Sequence, residues 1–289
     1  MCRLFALHAG RTRARATFWL LDAPDSLREQ SRREPDGTGI GTFTAQGRPK
    51  VEKQAIAAWE DRAFAREARD LESTTFIAHV RYASAGAHTF VNTHPFEQSG
   101  RLFAHNGAFG GLATLERRLE DLGTAGLVRG ETDSERLFAL ITAEARIAGG
   151  DLEAGIVNAV SWIAERLPVF SLNFIITTAT DVWALRYPET HELFVREDQG
   201  PADPTARRLE ARSQRITVHS DDVAEHVLVA TERMDNDPRW RLLDPGELLH
   251  VGPDLHVGSS RPLPRNPAIQ LTLADLDPKA AASQKPHGA

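Results

Sequence analysis

The residue with the most informative chemistry is the single cysteine, at position 2. Cysteine is small enough for the initiator Met1 to be removed, which would leave Cys2 as the first residue. Its α-amine would then have a pKa of about 7.7–8.0 and be partly neutral at pH 7. That amine can take the proton of the adjacent thiol, directly or through water. The chemistry of Cys2 suits a nucleophile with its own base, although its position alone favours a small buried side chain on an edge strand.

Later segments carry side chains suited to binding. They read His79-Val80-Arg81-Tyr82-Ala83-Ser84, Asn92-Thr93-His94-Pro95-Phe96, Phe103-Ala104-His105-Asn106-Gly107 and Gly130-Glu131-Thr132-Asp133-Ser134-Glu135. Arg81 lies at the end of an apolar strand, Asn106-Gly107 ends the next strand, and the last segment puts an acid at a helix start. Taken alone, Arg81 and Asp133 are better explained as members of surface ion pairs.

Together, and after a Met-Cys start, these motifs resemble the class II glutamine amidotransferases. This N-terminal-nucleophile branch includes the amidotransferase domains of glucosamine-phosphate synthase, the purine-pathway amidotransferase and glutamate synthase. The resemblance covers roughly residues 2–140. It implies that Cys2 attacks the γ-amide carbon of glutamine, and that the Asn106 side chain and the Gly107 N–H form the oxyanion hole.

The resemblance also implies how a small zwitterionic substrate is held. Arg81 would bind its α-carboxylate through two parallel hydrogen bonds, a bidentate contact that lysine does not reproduce. Asp133 would bind its α-ammonium, and Tyr82, Ser84 and His94 would complete the substrate site. This arrangement would hold the γ-carbonyl over the thiolate. No cofactor is implied.

The chain departs from the family pattern at two places. Many relatives have Gly-Trp-Gly before the second strand, whereas this chain has Thr38 between two glycines, without the aromatic packing group. Many synthase domains have Thr-His-Gly after the arginine motif, whereas this chain has Ser84-Ala85-Gly86. Ser84 can still reach the carboxylate, but Ala85 removes a histidine.

A metal site is the competing interpretation of the histidines. His79, His94 and His105 fall within one stretch, and three histidines can bind zinc or iron. Two of them flank Arg81 and Asn106, where the family uses histidine without metal. We therefore expect supporting hydrogen bonds and no metal. The single cysteine also excludes a cysteine metal cage and an intramolecular disulfide.

The second half of the chain bears on which amide is cleaved. Residues 227–233, followed by an acidic loop at 235–240, resemble the closing part of standalone members such as the γ-glutamyl hydrolase of the ergothioneine pathway. Alternatively, this loop is a solvated turn. Two enzyme hypotheses remain: direct hydrolysis of glutamine or a γ-glutamyl conjugate, and a glutaminase subunit that supplies ammonia to a separate synthase. A third is an inactive binding protein with this fold, for example if Met1 is retained.

Composition limits the partners. The chain has 289 residues, 41% hydrophobic and 26% charged, with a formal net charge of −6. This charge gives no reason to expect nucleic acid as a partner. No segment approaches the roughly 18 apolar residues that span a bilayer, and the start of the chain does not resemble a secretory signal. We therefore expect a cytoplasmic protein without a membrane partner.

The order of elements is strands, then helices, then strands, which predicts an α+β fold. The resemblance implies an Ntn-hydrolase-like four-layer αββα sandwich, with two mostly antiparallel sheets flanked by helices. Helices are expected at 16–33, 112–121, 133–147 and 151–166, and a strand at 101–105. We expect one domain at 2–260 and an irregular, disordered tail at 261–289, where three prolines interrupt regular structure.

Overall fold

Two sheets form the centre of the molecule. The structure is a computed structural model that describes residues 2–82, 87–198, 209–212, 217–220 and 225–284. The strands of the first sheet, in spatial order, are β13 (Arg241–Leu242), β9 (Phe194–Asp198), β12 (His226–Ala230), β1 (Arg3–His8), β4 (Thr75–Arg81), β2 (Gly37–Phe43) and β3 (Pro49–Gln54). All of its pairings are antiparallel.

The second sheet lies against the first. Its strands, in spatial order, are β15 (Val257–Ser260), β14 (Leu248–Val251), β8 (Val182–Leu185), β7 (Pro168–Thr177), β6 (Arg101–Phe109) and β5 (Phe96–Gln98), and β16 (Ile269–Gln270) adds a parallel pairing to β7. A separate hairpin joins β10 (Leu209–Arg212) to β11 (Thr217–Ser220).

Helices cover the outer faces of both sheets. They are α1 (Leu27–Gln30), α2 (Arg62–Asp70), α3 (Leu112–Asp121), α4 (Asp133–Ile147), α5 (Leu152–Arg166) and α6 (Pro278–Gln284), with a π-helical turn at Phe18–Asp22 and 3₁₀ turns at Phe90–Asn92, Ala125–Leu127 and Leu273–Asp275. Among the described residues, no helix is both long and apolar enough to cross a membrane.

Three apolar clusters separate four layers. Along β1, Leu4 and Ala6 face the second sheet, whereas Phe5 and Leu7 pack against the π-helical turn, α1 and α2. Successive side chains of a strand point to opposite faces, so a strand that is apolar on both faces must be buried on both. A third cluster joins the second sheet to α3, α4 and α5. The predicted αββα sandwich is therefore confirmed.

The three central helices begin and end close to the predicted positions. The Thr132 side chain accepts a hydrogen bond from the Glu135 N–H at 3.2 Å and caps α4. Asp151 caps α5 in the same way, through the Ala154 N–H at 3.0 Å. These oxygens satisfy backbone donors that the first helical turn leaves unpaired.

Residues 16–33 do not form the continuous helix that was predicted. A π-helical turn ends at Asp22, Ala23 is extended with ψ 152°, and α1 begins only after Ser26. Pro24 explains the break, because proline disfavours helical geometry at the residue before it.

Strand β6 is longer than predicted. It continues past His105 to Phe109, so Asn106 and Gly107 lie within the strand, opposite Asn173 and Leu172 of β7. Pairing with the neighbouring strand outweighs the weak strand preference of Asn-Gly.

The structure also differs from the irregular tail predicted at 261–289. Within it, β16 pairs with the start of β7, and α6 buries Ser283 and Gln284. The Gln284 Oε1 lies 2.7 Å from His191 Nε2. Packing against the second sheet therefore orders the chain after the prolines. Residues 285–289 lie outside the described part, and the domain boundary at 260 stays a prediction.

Candidate active site

Cys2 lies at one end of the first sheet, beside Arg81. The register of β1 and β4 pairs Arg3 with Val80, which places Cys2 next to Arg81, and Gly37 of β2 pairs with Arg81 from the other side. The half-buried thiol contacts the backbone of Tyr82: its Sγ accepts from the Tyr82 N–H at 3.3 Å and lies 3.4 Å from the Tyr82 carbonyl oxygen. The sheet therefore fixes the position of the thiol.

The surroundings keep this thiol protonated at rest. Burial raises the pKa of Cys2, and the carboxylate of Glu34 adds to this rise. The Tyr82 N–H and Arg81 act against it. Only a thiolate is a good nucleophile. Attack by Cys2 therefore requires a base that removes its proton.

Arg81 brings a buried cation close to the thiol. Its Nη1 donates to the Ala87 carbonyl oxygen at 3.2 Å, and the side chain is almost fully buried. Burial lowers the pKa of Arg81, whereas the Coulombic effects of Cys2, Asp36 and Glu131 raise it. A guanidinium in such a setting is suited to a carboxylate ligand. Of its predicted neighbours, Tyr82 contributes its backbone to the thiol, and Ser84 lies outside the described residues.

Asn106 lies on the second sheet and faces the first. Leu102 and Ala104 belong to the cluster between the sheets, and strand alternation gives Asn106 the same direction. It is fully buried, yet neither atom of its side-chain amide has a hydrogen-bond partner among the described residues. An unsatisfied buried polar group costs about 1–3 kcal/mol. Such a cost is expected where the group serves a ligand.

Gly107 is required by its neighbours. A Cβ at this position would lie 2.1 Å from the Ser171 carbonyl oxygen and 2.7 Å from His105 Nε2. Glycine was expected here so that a substrate could approach the backbone. The structure adds a second reason, which is the close contact with β7.

Replacing Gly107 with alanine is expected to destabilise the fold. The Cβ would push β6 away from β7, and overpacking of this kind costs about 1–3 kcal/mol or more. Denaturant unfolding should show a lower midpoint for G107A. The control is Gly126→Ala, where an added Cβ has nothing within 4 Å. Equal midpoints for the two variants would contradict this account.

Asp133 is held beside the end of β6. Its Oδ2 accepts from the Phe109 N–H at 3.3 Å, and its Oδ1 accepts from the Ser134 N–H at 2.7 Å. It is the first residue of α4 and is half-buried. The helix N-terminus favours its negative charge. The structure thus brings Asp133 close to the Asn106-Gly107 segment.

The three histidines do not converge on one point. His105 contacts Ser134 Oγ through Nδ1 at 2.9 Å and the Ser171 carbonyl oxygen through Nε2 at 3.3 Å. The ring centroids of His79 and His94 lie 4.2 Å apart with the planes tilted by 43°, and His94 also packs edge-on against Phe96. Among the described residues, no group of three or more His, Cys, Asp or Glu side chains is arranged to bind a metal ion.

The adjacent rings of His79 and His94 are uncharged at neutral pH. Burial lowers the pKa of His79 to about 3, and Arg81 contributes to this shift. Burial also lowers the pKa of His94 well below its usual range, and neither of its ring nitrogens has a hydrogen-bond partner among the described residues. His94, predicted to bind substrate, thus lies buried against His79 and Phe96, and its contact with a substrate stays a prediction.

The carbonyl group of His94 explains a glycine of β2. A Cβ on Gly39 would lie 2.2 Å from the His94 carbonyl oxygen. The neighbouring Thr38 stands where many relatives have tryptophan; it is buried, and its Oγ1 has no hydrogen-bond partner among the described residues. The absence of a side chain at Gly39, rather than the identity of Thr38, leaves room for the His94 carbonyl group.

A reciprocal pair, the Glu131–Asn92 clasp, was not predicted. Glu131 Oε2 accepts from the Asn92 side chain at 3.0 Å and from the Ala87 N–H at 2.9 Å. Asn92 Oδ1 accepts in return from the Glu131 N–H at 2.9 Å. These hydrogen bonds lower the pKa of Glu131. Both residues lie in the motifs, but their pairing requires a fold to bring the motifs together.

A buried ion pair behind Cys2 was also missed. Arg3 Nη1 lies 3.5 Å from Glu34 Oε1, and both side chains are fully buried. Arg3 Nη2 lies 2.5 Å from the half-buried Glu232. Burial raises the pKa of Glu34 to about 7 against the opposing charge of Arg3. No motif marks Glu34, which lies at the end of an Arg-rich polar segment.

Comparison with known proteins fits this geometry. A model of the class-II glutamine amidotransferases matches residues 1–268. The chain belongs to this family. Among curated class-II relatives, the glutamine–fructose-6-phosphate aminotransferase (isomerizing) of Gluconobacter oxydans is 36% identical over 118 residues. The match covers 40% of this chain but only 19% of that protein.

Solved class-II structures share the fold. The phosphoribosylpyrophosphate amidotransferase of B. subtilis has a TM-score of 0.64 at 21% identity, covering 91% of this chain and 50% of that one. A glutamine aminotransferase class-II domain protein from Silicibacter pomeroyi has a TM-score of 0.60 at 20% identity, covering 91% of this chain and all of that one. The Ntn-hydrolase class-II fold predicted from the motifs is thus confirmed.

Proposed function

We propose that this chain is an N-terminal cysteine amidohydrolase that cleaves the γ-amide of glutamine or of a γ-glutamyl conjugate. The observation that carries the proposal is the position of the Cys2 thiol, held on the Tyr82 backbone next to the buried guanidinium of Arg81. Membership of the class-II family supports amide hydrolysis, and the identity of the substrate is the part that we propose.

The reaction follows from the side chains at the site. In the mature chain the α-amine of Cys2 removes the thiol proton, and Sγ attacks the γ-carbonyl carbon. The tetrahedral oxyanion accepts hydrogen bonds from the Asn106 side chain and the Gly107 N–H. The ammonium returns its proton to the departing nitrogen, which leaves as ammonia or an amine. Water then cleaves the thioester, releasing glutamate and the free thiol.

The substrate's amino-acid head is held by opposite charges. Arg81 binds the α-carboxylate and Asp133 the α-ammonium, which leaves the γ-carbonyl directed at Cys2. Tyr82, Ser84 and His94 complete this pocket in the proposal. Holding the head in this way converts binding energy into orientation at the reacting carbon.

Replacing Asp133 with asparagine is expected to raise KM for glutamine by about 30-fold or more, because losing one member of a buried charge pair costs about 2 kcal/mol or more. Initial rates of ammonia release over a range of glutamine concentrations provide the measurement. Asp151→Asn is a matched control, since Asp151 caps α5 but lies away from the proposed site. An unchanged KM in D133N would show that another group binds the ammonium.

The second candidate function is ammonia supply to a separate synthase. It is favoured by the match to an aminotransferase whose name includes a second substrate, fructose 6-phosphate, and of which this chain covers only a fifth. For an ammonia-supplying subunit, glutamine itself is the substrate. For direct hydrolysis of a γ-glutamyl conjugate, as in the γ-glutamyl hydrolase of the ergothioneine pathway, a larger amine is the leaving group.

A release assay distinguishes these candidates. Free glutamine and a panel of γ-glutamyl amides are compared by kcat/KM, with glutamate as the common product. Preference for a conjugate by about tenfold or more would favour direct hydrolysis, because a pocket built for the larger leaving group gains contacts in the transition state. No turnover of any member, together with retention of Met1 by intact mass, would favour an inactive binding protein.

A further inference from the structure

The Arg3–Glu34 ion pair approaches the start of the chain from the side opposite the thiol. Leu4 faces the second sheet and Phe5 faces the helices, so alternation along β1 directs Cys2 inward and Arg3 outward. Arg3 Nη1 lies 3.5 Å from Glu34 Oε1 and donates to the Cys2 carbonyl oxygen at 3.4 Å. Glu34 is therefore joined to the backbone of Cys2 without facing the space between the sheets.

We propose that Glu34 is a positioning residue for the reaction: in the mature chain its carboxylate binds the α-amine of Cys2 and holds it beside the thiol. This inference rests on the proposed function, because it concerns the amine that serves there as the base. It assigns a role to a residue that contacts neither the substrate nor the reacting carbon.

The balance of charge around Glu34 supports this role. Two guanidinium groups face three carboxylates: Arg3 contacts Glu34 and Glu232, and Arg33 contacts Glu232 and Asp25. Among these described residues, the carboxylates outnumber the guanidinium groups by one. A buried carboxylate is costly unless it is paired and hydrogen-bonded. Glu34 and the side chain of Cys2 interact electrostatically, so a positive charge on the Cys2 α-amine stabilises the buried carboxylate.

The proposal predicts a pH effect with a definite sign. Glu34 is faced by Arg3 on β1 and by Glu232 after β12, and its charge also acts on the Cys2 thiol. Above about pH 7 its carboxylate is ionised and binds the amine. The negative charge also raises the pKa of that amine, so a neutral residue in its place lowers it. Loss of the charge therefore shifts the acid side of the rate profile to lower pH.

The test compares full-length wild type with Glu34→Gln, Glu34→Asp and Glu232→Gln. Two readouts are followed from about pH 5 to about 9: kcat/KM for glutamine, and the rate at which an electrophilic glutamine analogue labels Cys2. In E34Q the acid inflection is expected to fall by about one pH unit. The plateau should fall about tenfold or more, because the amine is held less well.

Two variants separate this role from a structural one. E34D restores a carboxylate and should return the inflection towards wild type. E232Q removes a carboxylate from the same guanidinium but should leave the inflection in place. A wild-type inflection and plateau in E34Q, or an E34D profile that matches E34Q, overturns the inference. If wild type neither hydrolyses glutamine nor takes the label at Cys2, the proposed function fails as well; an active wild type with an unchanged E34Q overturns the inference alone.

Discussion

Replacing Cys2 with alanine is expected to abolish hydrolysis. Removal of a catalytic nucleophile lowers kcat by about 10⁶-fold in the best-studied case, which would leave only background ammonia release. Alanine is as small as cysteine at this position, so Met1 can still be removed and the α-amine is retained. The variant thus removes the thiol while keeping the base. Ammonia release from glutamine at saturating concentration is the measurement.

The fold should survive this substitution. The hydrogen bonds of the thiol are those with the Tyr82 backbone, and the side chain is only half-buried. The free energy of unfolding should therefore change by less than about 1 kcal/mol. Cys2 is the only cysteine, so an electrophilic glutamine analogue should add one label to wild type and none to C2A. Turnover that persists in C2A with a normal unfolding curve would refute the thioester mechanism.

Replacing Asn106 with alanine should lower kcat for glutamine by about 10²–10³-fold while leaving KM nearly unchanged. The reason is that an oxyanion donor acts mainly in the transition state, where its loss costs about 2.7–4 kcal/mol. Stability should hold or rise, because the buried amide has no hydrogen-bond partner to lose among the described residues. Steady-state kinetics and denaturant unfolding on the same preparation test both statements.

Asn173 is the matched control for Asn106. It lies directly opposite on β7, but its side chain accepts from the Tyr187 N–H at 2.9 Å and donates to the His191 carbonyl oxygen at 3.2 Å. N173A should therefore lower stability by about 1–3 kcal/mol, the cost of leaving buried groups unpaired. If N106A lost stability to the same degree and kept its kcat, Asn106 would be a structural residue and the proposed oxyanion hole would be wrong.

The sequence predicted the parts of the fold that depend on local pattern. Helix α4 has a capping threonine and an apolar repeat within its own residues, and the strands that form the sheet centres are apolar on both faces. The strand predicted at 101–105 is shorter than β6 because Asn106-Gly107 is locally typical of a turn. Only pairing with β7, far along the chain, extends it to Phe109.

Prediction of the site was limited in the same way. The motifs named Cys2, Arg81, Asn106 and Asp133 because each lies in a recognisable short segment. Glu34 lies in no motif, and an isolated glutamate after two arginines reads as a surface residue. Its burial follows from the pairing of β1, β4 and β2, which brings Arg3 to it.

The Glu131–Asn92 clasp affects how strictly the site selects substrates by the length of their side chain. Arg81 donates to the Ala87 carbonyl oxygen, the Ala87 N–H donates to Glu131, and Glu131 stands two residues before Asp133. The two groups proposed to grip the amino-acid head are therefore parts of one braced unit, assembled before any ligand arrives. Such a unit fixes the distance between the bound amino-acid head and the Cys2 sulfur. An amino-acid amide one methylene shorter than glutamine would be bound equally well by Arg81 and Asp133. Its carbonyl carbon would not reach the Cys2 sulfur, and a misplacement of about 1 Å can lower the rate by about 10²-fold.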